Sequence, residues 1–320
     1  MRKKMAFLMV ATLMVSVISG CKGVSVDINK GSSEASSSES SSSDSSSSED
    51  SGKASGSEAE SGNKDTMFQV SLLQGLTEGD FDGSVSAAEY KTMGDTGIGT
   101  FDGLNGELVM LDGKIFRAAG DGSVEEVDDS ETIPFGNTSF FEADSTQEIS
   151  DVGSYEELQD ILNDSVHELG ANYFYVVRID GSFSEMHVRS ELKQEKPYGT
   201  INEALEKDQK EFDYKDIEGT MVGIYCPSFM SQLNNVGWHF HFVSDDRSKG
   251  GHVFEIKVKD AEISMDFTDD YKVVLPDSEK FQETDFSVDR SADVKKAETK
   301  QKILMESWLR FNIKGTPSYF

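Results

Sequence analysis

The sequence predicts an α/β protein rich in strands, in which mixed and antiparallel sheets form a two-part architecture with few helices after a disordered tether. Apolar and polar residues alternate in residues 172–190 and 237–258, which is typical of short, half-buried strands. Helical periodicity is found mainly in residues 154–168 and 201–213. Residues 31–63 are mostly serine with scattered acids, so they cannot bury apolar surface.

The first 21 residues have the pattern of a targeting segment. A basic start, a short apolar stretch and the ending Ile-Ser-Gly-Cys resemble a bacterial lipobox, which predicts cleavage before Cys21 and lipid attachment to its thiol. An ordinary signal peptide is the alternative, and the apolar stretch is too short to span a membrane. The predicted organisation, in chain order, is a lipoprotein signal peptide (1–21), a disordered linker (22–66), an N-terminal α/β part (67–170), a C-terminal β-rich metal-binding part (171–299) and a C-terminal extension (300–320).

Charge and cysteine content exclude several classes of partner. The chain has 59 acidic and 30 basic residues and a formal net charge of −29. Such an acidic protein lacks the basic surface that nucleic acids and anionic lipids require, and an anionic substrate needs a local cationic group. Of the two cysteines, Cys21 is taken by the predicted anchor. Cys226 therefore has no intramolecular partner, and we expect a buried, inert thiol in a strand.

One loop in the first half of the folded region resembles a calcium motif. Residues 78–89, EGDFDGSVSAAE, align with an EF-hand loop when Gly83 takes the place of its turn glycine. The first ligand position is then Glu78, where such a loop needs the shorter Asp. We therefore predict a turn that leads into a helix at this place.

Local patterns predict the neighbouring elements. The apolar residues of 68–76 fit one face of a short helix. Alternation on both sides of Asp112-Gly113 predicts a hairpin, and alternation about Asp180-Gly181 predicts a second one. Glu107 lies in the first strand of the first hairpin, and a glutamate in this position, judged by itself, faces solvent.

A histidine cluster in residues 237–252, GWHFHFVSDDRSKGGH, is the most specific pattern in the sequence. His239 and His241 alternate with aromatic residues, so both imidazoles point to one face of a strand. The turn-forming residues that follow predict a hairpin whose returning strand places His252 opposite His241 on the same face. Three neutral imidazoles suit zinc and leave coordination positions open, as a catalytic site requires.

Six stretches that occur in a fixed order carry a family resemblance. They are QVSLLQGLTEGDFDG, GDTGIGTFDGLNGELVMLDG, FYVVRIDGSF, KQEKPY, GTMVGIYCP and HFHFVSDDRSKGGHV. From about Phe68 to Glu298 the sequence therefore resembles the bacterial alpha-acetolactate decarboxylase family. The resemblance implies conversion of (S)-2-acetolactate to (R)-acetoin and carbon dioxide. It also implies a zinc ion that is held by His239, His241 and His252.

The resemblance further implies residues beside the metal. Glu107 matches the glutamate of the family's GELVMLDG stretch, which replaces the expectation that it faces solvent. Arg189 matches the site arginine, with Arg178 as the alternative, and would orient the substrate carboxylate or stabilise the developing charge. Glu298 matches a second glutamate, with the nearby Glu306 as the alternative, and either site glutamate could protonate the intermediate. The implied catalytic residues are Thr100, Glu107, Arg189 and Glu298.

The function predicted from these features is that of a zinc-dependent lyase of the acetoin pathway acting on a small molecule, 2-acetolactate. Two alternatives stay open: an extracytoplasmic zinc-binding lipoprotein without catalysis, and a zinc hydrolase with Glu107 as base. Only the decarboxylase predicts gas release from acetolactate. We expect a lipid-anchored protein on the extracytoplasmic face of the bacterial cell membrane, and a homodimer is compatible with the sequence.

Overall fold

The computed structural model of the protein describes residues 64–298, which form two large β-sheets and six helices. The predicted signal peptide with Cys21, nearly all of the predicted linker, and the C-terminal extension with Glu306 lie outside the described residues. Among the described helices, none is both long enough and apolar enough to cross a membrane.

The elements of this part of the chain are numbered in chain order. The strands are β1 (Thr66–Val70), β2 (Val85–Ser86), β3 (Thr96–Thr100), β4 (Glu107–Leu111), β5 (Lys114–Ala118), β6 (Val124–Glu126), β7 (Thr132–Ile133), β8 (Phe135–Ser139), β9 (Ser145–Val152), β10 (Phe174–Glu191), β11 (Gln209–Cys226), β12 (Gly237–Ser244), β13 (Gly250–Thr268) and β14 (Asp270–Val274). The helices are α1 (Leu73–Thr77), α2 (Ala87–Tyr90), α3 (Tyr155–Leu169), α4 (Ile201–Asp208), α5 (Glu279–Glu283) and α6 (Ser291–Glu298), with a short 3₁₀ helix at Ser228–Met230.

The first sheet has seven strands in the order β14-β1-β8-β3-β4-β5-β6. Its strands pair antiparallel, apart from β1 and β14, which are parallel, so the sheet is mixed as predicted. The hairpin at Asp112-Gly113 is confirmed, since it joins β4 to β5. The predicted helix over 68–76 is wrong at its start, because those residues complete β1 and the helix α1 begins only at Leu73.

The second sheet is antiparallel and has the order β10-β11-β12-β13-β9. Because β10 also pairs with β13, the pairings of these four strands close on themselves. The strands are longer than expected: β10 and β11 have 18 residues each, and β13 has 19. The predicted hairpin at Asp180-Gly181 is wrong, since β10 continues through it. A side chain at Gly181 would place its Cβ 2.3 Å from the Asp260 carbonyl oxygen, so glycine here permits the close approach of β13.

The longer helical predictions have mixed outcomes. The helix predicted over 154–168 is confirmed as α3, which begins after the N-cap Ser154. The helix predicted over 201–213 ends at Asp208, because the following residues start β11 and its Phe212 and Tyr214 pack against the core of the second sheet. Tertiary packing outweighs local helical preference there.

Apolar residues from both sheets form a shared core. Val109 and Leu111 of β4 belong to this core, together with Val222 and Ile224 of β11. Because side chains alternate along a strand, Glu107 points to the same face as Val109 and Leu111 and thus toward the second sheet. A separate core on the other face of the second sheet includes α3. Cys226 is free and buried, and burial raises its pKa to about 12, as expected for an inert thiol.

The division into parts at residues 67–170 and 171–299 stays a prediction. Strand β9 precedes this boundary but joins the second sheet through β13. Strand β14 follows it but joins the first sheet through β1. Each sheet therefore contains a strand from the other side of the boundary.

The loop that resembles a calcium motif leads into a helix, as predicted. Within residues 78–89, Glu89 and Ser86 form a capping box at the start of α2. Asp80 accepts a hydrogen bond from the Ser278 hydroxyl at 2.8 Å, and two other acids of the loop form ion pairs with basic side chains. These carboxylates thus have protein partners that account for them.

A buried carboxylate at Asp266 in β13 makes the fold sensitive to pH. Its residue is 1% exposed, and it accepts a hydrogen bond from the backbone N–H of Glu142 at 3.3 Å. Burial raises the pKa of the Asp266 carboxyl to about 7, and the carboxylates of Asp144, Asp65 and Glu142 act in the same direction. Because this pKa lies above the unfolded value of about 3.9, the folded state binds more protons between the two values. The contribution of Asp266 to stability is therefore lost as the pH rises from about 4 through about 7.

We expect Asp266→Asn to raise the free energy of unfolding at pH 8 by roughly 1 kcal/mol, because the amide removes a buried negative charge. The gain should disappear near pH 4, where the wild-type carboxyl is protonated. Urea unfolding at both pH values measures this difference. Glu148→Gln is the control, since it removes an exposed charge from β9 of the same sheet. An equal effect of Asp266→Asn at both pH values would contradict the prediction.

Candidate metal centre

Three histidines converge on the β12–β13 hairpin. His241 and His252 are directly opposed in the strand register, as predicted, and His239 lies two residues before His241 on the same face. His239 Nε2 is 3.1 Å from His241 Nε2 and 3.0 Å from His252 Nδ1. Nitrogen ligands at about 2.0–2.1 Å from a tetrahedral zinc ion lie about 3.3 Å from each other. Among the described residues, these three side chains are the group that can hold a metal ion.

Backbone carbonyls determine which imidazole nitrogen of two of these histidines carries its proton. His241 donates from Nδ1 to the Leu108 carbonyl oxygen at 2.7 Å, and His252 donates from Nε2 to the Glu298 carbonyl oxygen at 3.2 Å. A carbonyl only accepts, so the other nitrogen of each ring keeps its lone pair. These free nitrogens, Nε2 of His241 and Nδ1 of His252, are the ones that approach His239. Outer hydrogen bonds of this kind orient the histidine ligands of metal sites.

Burial keeps the three imidazoles neutral. The side chains of His239 and His241 are 10% and 1% exposed. Burial, reinforced by the positive charge of Arg189, lowers the pKa of His239 to about 3. Burial also lowers the pKa of His241 and of His252 well below the usual value. A metal ion binds the neutral form of histidine, so the site is in the state that binding requires.

Two buried carboxylates lie next to these nitrogens. Glu107, the first residue of β4, places Oε2 at 3.3 Å from His241 Nε2. Glu298, the last residue of α6, places Oε2 at 3.3 Å from His239 Nε2. Glu107 Oε1 and Glu298 Oε2 are buried without a hydrogen-bond partner among the described residues. A bound cation would pair with these oxygens and with the unprotonated nitrogens beside them. The residues present therefore fit a metal ion.

Arg189 supplies the positive charge of the site. It is 4% exposed, and its Nη1 lies 3.5 Å from Glu107 Oε1. Its backbone pairs with that of His252 across β10 and β13. The alternative arginine, Arg178, forms an ion pair at 2.6 Å with Asp112 at the β4–β5 turn. The structure therefore brings Arg189, and not Arg178, to the histidines.

Thr100 lies on the strand next to Glu107. The two residues face each other in the register of β3 and β4, and the Thr100 hydroxyl donates to the Gly106 carbonyl oxygen at 2.8 Å. Gly106 has a positive φ of 86°, which glycine adopts without strain. Thr100 thus holds the turn from which Glu107 emerges.

Most of the candidate residues line one small cavity between the sheets. Its volume is about 20 Å³, enough for about one water molecule. A larger cleft of about 580 Å³ is lined by Glu298 too, together with side chains of α3 such as Tyr155 and Asn163. Of the residues singled out from the sequence, the small cavity is lined by Thr100, Glu107, Arg189, His239, His241 and Glu298.

Glu191, which also lines the cavity, was not singled out from the sequence. It is 1% exposed, and its Oε2 accepts a hydrogen bond from Arg189 Nη1 at 3.3 Å. The available signal was its spacing, because residues two apart on a strand share a face and Glu191 follows Arg189 by two.

Burial also determines the protonation of the carboxyl groups. Burial and the neighbouring carboxylate of Glu191 raise the pKa of Glu107 well above its usual range. Burial raises the pKa of Glu191, whereas the adjacent Arg189 opposes the shift. For Glu298, burial raises the pKa to about 7. The site therefore places proton-carrying acids beside candidate metal ligands, an arrangement suited to acid–base chemistry.

A buried three-histidine centre, flanked by acids and a guanidinium between two sheets, is typical of a metal-dependent enzyme of the α/β class. The family model described as alpha-acetolactate decarboxylase matches residues 67–288. The chain belongs to the alpha-acetolactate decarboxylase family and is an enzyme of the carboxy-lyase class.

Similar proteins cover most of the folded region. The chain is 36% identical to the alpha-acetolactate decarboxylase of Methanosarcina mazei over 234 residues. The aligned region covers 73% of this chain and 80% of that protein. It is 35% identical to that of Bacillus licheniformis over 74% of this chain and 92% of that protein. The crystal structure of alpha-acetolactate decarboxylase from Bacillus subtilis strain 168 matches with a TM-score of 0.71 and 31% identity, over 73% of this chain and all of that chain. These matches confirm the family and the β-rich fold class that the sequence predicts.

Proposed function

We propose that the protein is a zinc-dependent alpha-acetolactate decarboxylase that converts (S)-2-acetolactate to (R)-acetoin and carbon dioxide. The observation that carries this proposal is the convergence of three neutral imidazoles, two of which line one small cavity together with Arg189 and two buried acids. The names of the similar proteins support the substrate.

Zinc is the metal that these donors favour. All three candidate ligands are imidazole nitrogens, and zinc accepts such ligands in catalytic sites with an open coordination position. When bound, the ion would act as a Lewis acid toward negative charge that develops on the substrate oxygens. His239, His241 and His252 would hold it.

The remaining side chains would handle the carboxylate and the proton. Arg189 would orient the substrate carboxylate, which leaves as carbon dioxide while its bonding electron pair moves to the carbon beside the ketone. The ketone is the electron sink, so the reaction needs no organic cofactor. An acid must then protonate that carbon from one side, which determines the chirality of acetoin.

Glu298 is the favoured proton donor, because it lines both the inner cavity and the larger cleft. Each turnover consumes one proton, so the donor must recover it from solvent. Glu298 lines the 580 Å³ cleft as well as the inner cavity, whereas Glu107 lines only the inner cavity of these two. Glu298 also has a pKa of about 7, close to the value at which a general acid is most effective.

We expect Glu298→Gln to lower kcat by about 10²- to 10⁴-fold with little loss of zinc, because the amide cannot donate the proton. Glu107→Gln should lower kcat less, since in this proposal Glu107 supports Arg189 and the metal ligands. Steady-state kinetics and chiral analysis of the acetoin measure the two effects. Glu306→Gln tests the alternative glutamate and should leave kcat unchanged. The reverse ranking of Glu298 and Glu107 would assign the donor role to Glu107.

The direct test of the proposed function is the reaction itself. The purified protein is given racemic 2-acetolactate, and acetoin is followed before zinc removal, after it and after zinc is restored. Acetoin formation that depends on zinc is the expected result. A folded, zinc-loaded protein that forms no acetoin would instead support the alternatives of a zinc-binding lipoprotein or a zinc hydrolase.

We also propose that the protein is anchored through a lipid on Cys21 at the extracytoplasmic face of the cell membrane. The lipobox-like ending of residues 1–21 supports this proposal. Metabolic labelling with a radioactive fatty acid should mark the wild type but not a Cys21→Ser variant. Equal labelling of both would refute the anchor. A homodimer stays a prediction, and the molar mass from sedimentation equilibrium tests it.

A further inference from the structure

Glu191 is a buried carboxylate for which the proposed mechanism has no use. It is the last residue of β10 and is 1% exposed. A carboxylate is unfavourable in the protein interior unless a cation or hydrogen-bond donors pair with it. Its partners are Arg189, which donates from Nη1 to Glu191 Oε2 at 3.3 Å, and the carboxyl group of Glu107, which donates a side-chain hydrogen bond to it. The acidic side chain thus contacts Arg189, the arginine that faces the candidate metal centre among the described residues.

The guanidinium of Arg189 is held at one of its nitrogens. Both acidic neighbours approach Nη1, Glu191 at 3.3 Å and Glu107 at 3.5 Å. The Nε of Arg189 is buried and has no hydrogen-bond partner among the described residues. Since a guanidinium is planar and rigid, the contact at Nη1 also determines where the Nε–H group points.

The backbone around the pair is equally constrained. Arg189 is paired with His252 of β13 and with Glu211 of β11, so its strand has neighbours on both sides. The side chain also lies over the Phe254 ring, 5.7 Å from its centroid. The backbone and the stem of the Arg189 side chain are therefore already held in place, and the contact with Glu191 in addition orients its guanidinium group.

We propose that Glu191 is a positioning residue: it holds Arg189 Nη1, so that the unpaired Nε–H is available to the carboxylate of the substrate. The inference rests on the proposed function and deepens it. Recognition of a carboxylate by arginine depends on the direction of the guanidinium donors, so loss of the Glu191 contact weakens binding of the carboxylate.

The test compares Glu191→Ala with Glu191→Gln in the full, zinc-loaded protein. Alanine removes the acceptor, and we expect KM for acetolactate to rise about 10-fold or more with a smaller change in kcat. Glutamine keeps an oxygen that accepts from Nη1, so it should restore KM to within about 3-fold of the wild type. Glu185→Gln is the matched control, since Glu185 lies on the same strand in an exposed ion pair with Lys257.

Inhibition by acetoin separates positioning from general damage. Acetoin has the hydroxyl and ketone oxygens of the substrate but lacks the carboxylate. Its inhibition constant should therefore stay within about 2-fold of the wild type in Glu191→Ala. A variant in which acetolactate and acetoin weaken together, or in which neither changes, overturns the inference. If the wild type forms no acetoin, the proposed function fails first and the inference falls with it.

Discussion

His241→Ala is expected to abolish zinc retention and acetoin formation together. His241 is 1% exposed, contributes one of three imidazole nitrogens and is oriented by the Leu108 carbonyl oxygen at 2.7 Å. Loss of an outer partner of a ligand already lowers metal affinity by about 10- to 100-fold, so loss of the ligand should exceed about 100-fold. Metal content after gel filtration and the acetoin assay measure the two losses.

The chain supplies its own controls for this prediction. His167 is exposed on α3, and His187 is hydrogen-bonded to Asp213 and Glu211 away from the cavity. Alanine at either position should leave zinc content and turnover close to those of the wild type. The void that His241→Ala leaves in the interior could prevent folding. His239→Ala provides a second test, because His239 is a more exposed ligand. Full turnover in either ligand variant would show that the site assignment is wrong.

Arg189→Lys is expected to keep the fold and the zinc but lower kcat/KM by about 100-fold. Lysine keeps the positive charge and loses the planar fork that orients a carboxylate, and a misplacement of about 1 Å costs about this much. Arg189→Ala should in addition lower the free energy of unfolding by about 3 kcal/mol, because Glu107 and Glu191 then remain buried without their cation. Steady-state kinetics and urea unfolding measure the two effects.

The matched control is Arg178→Lys. Arg178 lies on the same strand, and its guanidinium pairs with Asp112 and not with the site. This variant should retain wild-type kinetics. If Arg178→Lys lost activity and Arg189→Lys kept it, the assignment of the substrate-binding arginine would have to be reversed.

The histidine site could be predicted from short-range patterns alone. Alternation along one strand placed His239 and His241 on one face, and the following turn placed His252 opposite His241, which the register confirms. The elements that depend on long-range packing were less predictable. Residues 209–213 have helical periodicity but join β11, and Asp180-Gly181 resembles a turn but lies inside β10.

The position of Arg189 shows why local pattern was insufficient. In the first half of β10 the odd-numbered residues, such as Ile179 and Phe183, point into the core that includes α3. The pairing of β10 with β13 is irregular around Phe183. Beyond this point the even-numbered residues Met186 and Val188 point into the same core, so the alternation has shifted by one residue. Strict alternation would have directed Arg189 into that apolar core. Because of the one-residue shift, the side chains of Arg189 and Glu191 point toward the metal centre instead.

The sequence by itself determined the family, the β-rich class and the histidine hairpin, because these depend on residues close together in the chain. The family resemblance implied that Glu107, Glu298 and Arg189 lie beside those histidines, and the tertiary structure decided how they meet there and that Arg189, not Arg178, does so. They come from β4, α6 and β10, and no period along the chain relates them. Their meeting follows from the packing of two sheets and a helix, whose burial of apolar surface brings distant carboxyl groups into one water-poor cavity.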